Sequence, residues 1–94
     1  MNYKKLDTAL AMALNELQDS EEQSLVVFIH TEPVPDAKAT AFLESLGVKV
    51  TRGQDVFTAT LSANAVSQLS DQPWVKAIRL SQNLRFLDKN YSKF

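Results

Sequence analysis

Cysteine is absent from this chain of 94 residues, which excludes a disulfide framework and a thiolate ligand set. Histidine is nearly absent: His30 stands alone, and one imidazole makes no metal site. Glycine occurs only twice, at Gly47 and Gly53, and neither belongs to a glycine-rich run that would cradle a phosphate. There is no excess of either charge, with ten basic and eleven acidic side chains and a formal charge of -1. That balance supplies no electrostatic reason for binding nucleic acid or an anionic membrane. Long apolar runs are missing too. The longest cover residues 9–14 and 25–29, far short of the ~20 residues a spanning helix needs. Near the N-terminus Asp7, Asn15 and Glu16 interrupt anything that would resemble the core of a signal peptide. Together these absences lead us to expect a soluble cytoplasmic protein without metal or cofactor.

What is present is the composition of one folded domain, with 45% hydrophobic and 22% charged residues. The chain reads as three parts. Residues 1–23 hold an amphipathic helix and a polar linker. Leu6, Leu10, Leu14 and Leu17 recur at helical spacing with Ala13, while Lys4, Lys5, Asp7, Asn15, Glu16 and Gln18 lie elsewhere around residues 3–18. Residues 24–83 form the body, and residues 84–94 a tail with no clear period.

The body spells strand, helix, strand, strand, helix, strand. Residues 25–31 read as a strand ended by Pro33 and Pro35. Asp36 caps a helix that places Ala37, Ala41, Phe42 and Leu46 on one face, and Gly47 terminates it. Residues 48–52 read as a second strand, joined through the turn at Gly53 to a third over 56–60. Ser62 caps a second helix that buries Ala65, Val66 and Leu69, Pro73 blocks its continuation, and a fourth strand begins near Val75. The predicted fold is therefore α+β and ferredoxin-like: a βαββαβ unit with a four-stranded antiparallel sheet in the order 4-1-3-2, two helices on one face, and an extra N-terminal amphipathic helix.

One face of that sheet is left open. In the third strand Phe57, Ala59 and Leu61 point one way, and Val56, Thr58 and Thr60 the other. The first strand is apolar on both sides, with Leu25, Val27 and Ile29 facing the helices and Val26 and Phe28 facing outward. At roughly 25 cal/mol per Å2 of apolar area, leaving Val26 and Phe28 in water is unfavourable, so a partner is expected on Val26, Phe28, Val56 and Thr58. The N-terminal helix, a second copy of the chain, or a different protein would each serve. Trp74 reads either as a plug at the end of the core or as an anchor for a partner.

The residues Phe57, Ala59, Leu61, Pro73, Val75 and Ile78 together resemble the propeptide and inhibitor family of subtilisin-like serine proteases, in which a strand of Phe-x-Ala-x-Leu type leads into a helix and then Pro-x-Val-x-x-Ile. The resemblance covers roughly two thirds of the chain and implies the fold just given. It also implies a trans-acting inhibitor or folding chaperone, since no protease domain follows within these residues. The sheet face would dock on the protease, and Leu84, Arg85, Phe86 and Leu87 would lie in the substrate cleft. Leu87 would then enter the primary pocket and Leu84 an outer apolar one, while Phe86 departs from the small residue usual in the family. Alternatively the same tail residues fold back on the domain. The chain would then be a non-inhibitory module that self-associates through its N-terminal helix or its open sheet face.

An enzyme is not expected. His30 lies among apolar strand residues, and Ser62, Ser67, Ser70 and Ser81 lack the context of a nucleophile elbow. Phe28 on an open sheet imitates the stacking aromatic of RNA-binding domains, but the third strand adds only Val56, Thr58 and Thr60 there, and the basic balance is missing.

Overall fold

Five consecutive apolar residues at the start of a strand favour a central, doubly flanked position, and the strand β1 (Leu25–Thr31) takes it. The computed structural model describes residues 1–16, 19–32, 37–51 and 53–84. In it β1 pairs antiparallel with β2 (Val56–Leu61) on one side and β3 (Val75–Asn83) on the other. Leu25, Val27 and Ile29 are fully buried, whereas Phe28 between them is 39% exposed. The core therefore lies on one side of the sheet. It is covered there by the helices α1 (Thr8–Glu16), α2 (Ala37–Ser45) and α3 (Ala63–Ser70), which contribute Leu10, Leu43, Val66 and Leu69 to a single apolar cluster with β1.

The expected four-stranded, ferredoxin-like sheet does not form. Only three strands pair among the described residues, in the order β2-β1-β3, and of the strand expected over 48–52 the described residues 48–51 form none. The reason lies in how α2 ends. Gly47 adopts φ +84°, its N–H donates to the Glu44 carbonyl, and the N–H of Val48 donates to the Leu43 carbonyl, each at 3.0 Å. This is a Schellman cap, completed by the apolar contact between Leu43 and Val48 in the core. Val48 is thus committed to ending a helix, and the chain turns again where Gln54 N–H donates to the Thr51 carbonyl at 3.1 Å. Too few residues remain between cap and turn to build a ladder. The α+β class stands, and the three strands that form keep the relative order expected of them.

The N-terminal segment also departs from a continuous helix over 3–18. Tyr3–Lys5 form a 3-10 turn, Leu6 is extended, and α1 begins at Thr8. Asp7 explains the break. Its Oδ1 accepts from Leu10 N–H at 3.0 Å, capping α1, and from Leu80 N–H at 3.3 Å. Its own N–H donates to the Ile78 carbonyl at 3.2 Å, beside a parallel bridge between Leu6 and Ile78. The segment is thereby tied along the outer edge of β3. Asn2 N–H to Ser70 Oγ at 3.0 Å and Lys5 Nζ to the Gln72 carbonyl at 2.7 Å fasten its start to the end of α3. The N-terminal helix consequently joins α2 and α3 on the core face and leaves the opposite face open.

The second body helix follows the sequence signal closely. Ser62 Oγ accepts from Ala65 N–H at 3.1 Å, and Ala65, Val66 and Leu69 are buried. Trp74 packs half-buried against the core, its ring 6.1 Å from that of Phe42 in an edge-to-face contact of 77°. That placement is the plug at the end of the core. Asp36, Pro33 and Pro35, read as helix start and strand end, lie outside the described residues.

Replacing Asp7 by Ala removes a cap and a tie to β3 at once, and is expected to lower stability by about 1–2 kcal/mol; Asp7→Asn, which keeps the acceptor, recovers most of it in urea titrations. Thr31 is 2% exposed and its hydroxyl has no partner among the described residues. Thr31→Val removes that buried polar group at nearly constant shape and is expected to raise the unfolding midpoint, with a gain of about 1 kcal/mol.

Candidate functional site

Strand alternation and register set the open face as three rows of three residues. Thr58, Phe28 and Arg79 form the middle row, Val56, His30 and Ala77 one flank, and Thr60, Val26 and Gln82 the other. Phe28, Thr58, Thr60, Arg79 and Gln82 are exposed, and Val26, His30, Val56 and Ala77 half-buried. The face is thus an aromatic ring at the centre of a neutral, hydroxyl- and methyl-bearing surface with one full charge, Arg79.

Of the residues expected on this face, Val26, Phe28, Val56 and Thr58 are brought together by the register, and Phe28 and Thr58 are direct cross-strand neighbours. Arg79, Ala77 and Gln82 complete it and were not read from sequence. The parity of β3 is broken by register shifts that leave Lys76 and Ser81 unpaired with β1. The signal within reach was Arg79 between Ile78 and Leu80, two core-facing residues.

The residues expected to pack the N-terminal helix are placed inside the molecule: Leu10 is fully buried, and Leu6 and Leu14 pack partly buried against the same cluster. Leu17 lies outside the described residues, as do Arg85, Phe86 and Leu87 of the tail. Leu84, the last described residue, is half-buried and its N–H donates to the Ser24 carbonyl at 2.8 Å. Leu84 therefore lies beside the start of β1.

A second feature borders the face. A polar groove of about 770 Å3 runs along the outer edge of β2, between it, the end of α2 and the side of α3. Thr58, Thr60, Ser45, Gln68, Asn64 and Glu21 are among its lining residues. Asn64 Nδ2 donates to Glu21 Oε1 at 2.9 Å, so the groove's one charged side chain is already engaged. The groove occupies the place in which the missing strand was expected.

His30 has Val56 and Ala77 as its cross-strand neighbours. Among the described residues no group of three His, Cys, Asp or Glu side chains could hold a metal ion, and no helix is long and apolar enough to cross a membrane.

No family model, curated protein or solved structure matches the chain. The resemblance to protease propeptides therefore rests on Phe57, Ala59, Leu61, Pro73, Val75 and Ile78 alone. Phe57, Leu61, Val75 and Ile78 are buried in the core, where they serve packing.

The two sides of β1 should respond oppositely to truncation. Ile29→Ala is expected to cost about 2–5 kcal/mol, while Phe28→Ser, on the open side, stays within about 1 kcal/mol of the parent. Thermal denaturation of both variants checks which side is the core.

Proposed function

We propose that the protein is a non-catalytic binding module that docks a protein partner on the open sheet face centred on Phe28. The observation that carries this is the exposure of Phe28, at 39%, between half-buried Val26 and His30 in the central strand, with all three helices on the other side. A central aromatic between Thr58 and Arg79 across the strands, and between Val26 and His30 along its own, suits the centre of a protein interface, where aromatic residues and arginine are enriched. With a single arginine on the face and a formal charge of -1 over the chain, counter-ion release from a polyanion would contribute little.

The partner class we propose is a subtilisin-like serine protease, as the resemblance implies. The sheet face would sit on the enzyme surface, and the chain beyond Leu84, carrying Arg85, Phe86 and Leu87, would extend from the sheet into the substrate cleft. The N-terminal helix supports this division of labour, because its apolar stripe is used within the core and leaves the face unmasked.

Titration of the purified protein against subtilisin, with residual activity followed over hours, tests the reading. Progressive loss of protease activity is expected, abolished by Phe28→Asp on the face and by Leu87→Asp in the tail, with the circular dichroism of both variants unchanged. Inhibition that survives Phe28→Asp removes the face from the interface. A protease that keeps full activity at every ratio, while the chain is simply digested, removes this enzyme class as the partner.

A further inference from the structure

The two edges of the sheet are treated differently. On the β3 side, the bridge through Leu6, the Asp7 bonds, the charges of Lys76 and Arg79 and the two register shifts all oppose addition of another strand. Among the described residues the β2 side has none of these devices. Residues 56–61, Val-Phe-Thr-Ala-Thr-Leu, contain no charge, no proline and no glycine. The bond from Thr31 N–H to the Asp55 carbonyl at 2.8 Å, with the one-to-one register that follows it, turns the peptide groups of Phe57, Ala59 and Leu61 toward β1. Those of Val56, Thr58 and Thr60 therefore point outward. The Val56 carbonyl is taken by Gln54 Nε2. Thr58 and Thr60 have no backbone partner on that side among the described residues, and both border the open groove.

We propose that this edge pairs with the same edge of a second copy of the chain, giving a two-fold dimer with one continuous six-stranded sheet. The register is set by the atoms left free. Thr58 of one copy pairs with Thr60 of the second copy and exchanges both N–H···O bonds with it, and symmetry repeats the pair. Ala59 meets Ala59 of the second copy on the two-fold axis. The alternative register centred on Thr58 would need the Val56 carbonyl, which Gln54 holds. Self-pairing suits this strand. It brings no like charges together, places threonine opposite threonine on the open face, and puts the smallest side chain where the two core faces meet. An isologous contact of this kind closes at two copies. The proposal concerns the edge of the sheet, so it stands or falls separately from docking on the face.

Because the chain has no cysteine, a single introduced thiol reports the register. In the proposed dimer Ala59 and its counterpart form a non-hydrogen-bonded pair with Cα atoms about 4.5 Å apart, within the range a disulfide spans. Ala59→Cys is therefore expected to cross-link fully under mild oxidation, several-fold faster than Met12→Cys, whose side chain is exposed on α1. Sedimentation of the wild-type full chain should give twice the 10.5 kDa of one copy. Thr60→Pro, which removes an outward N–H and no β1 bond, should return that mass to one copy with unchanged circular dichroism. If Thr60→Pro fails to fold, the comparison of Ala59→Cys with Met12→Cys decides alone. A wild-type monomer at the highest soluble concentration overturns the proposal, as does a dimer indifferent to Thr60→Pro without selective cross-linking at position 59. A monomer that dimerises only after removal of residues 85–94 also overturns it, and assigns the edge to the chain's own tail.

Discussion

Burial of one side of β1 is the constraint from which the rest of the architecture follows. Leu25, Val27 and Ile29 are fully buried in the central strand, and each such side chain is worth about 1.5–3 kcal/mol of transfer free energy. That row is covered by the apolar faces of α1, α2 and α3, which all gather on one side. The other side of the same strand, with Val26 and Phe28, is left without a layer. Asp7 determines where the first of these helices goes, because its carboxylate serves α1 and the backbone of β3 together. A helix anchored there cannot swing round to the far side without breaking both.

The parts of this arrangement legible from sequence are those with redundant local signals. β1 has five apolar residues in succession, and α3 has Ser62 before it, Pro73 beyond it and an apolar stripe between. The outward set Val26, Phe28, Val56 and Thr58 follows from simple alternation. The missing strand shows where such reading stops. Val-Lys-Val after a glycine fits a short strand, but it fits equally well the first residues beyond a Schellman cap, which consumes the Val48 N–H and turns its side chain into the core. Gly47 identifies the end of the helix; only the hydrogen bonds show that Val48 belongs to that end. Asp7 hides in the same way, since it falls within a stretch whose leucine spacing continues on both sides. In β3 the register shift that skips Ser81 inverts the parity, so Gln82 joins the open face by a route that counting residues from Ile78 and Leu80 does not reveal.

The chemistry of the open face is restrained. Its hydroxyls, methyls and one aromatic ring offer contact area and hydrogen bonds, while its single arginine gives direction rather than bulk attraction. Such a surface favours a partner matched in shape over one matched in charge. The polar groove along β2 adjoins it without deepening it, so recognition would be by broad apposition and not by enclosure of a small molecule.

The short N-terminal stretch that lies against Ile78 and Leu80 has an effect beyond anchoring a helix. In the language of polymer chemistry it makes the folded unit monofunctional: one end of the sheet is terminated and only one remains reactive. A unit of that kind stops growing after a single coupling. Shorn of its first seven residues, the same fold would keep only Lys76, Arg79 and the two register shifts of β3 against a second coupling, and the barrier to linkage edge to edge as a fibre would be lower. The first turn of the chain therefore acts as one part of a chain terminator, together with the charges and irregular register of β3.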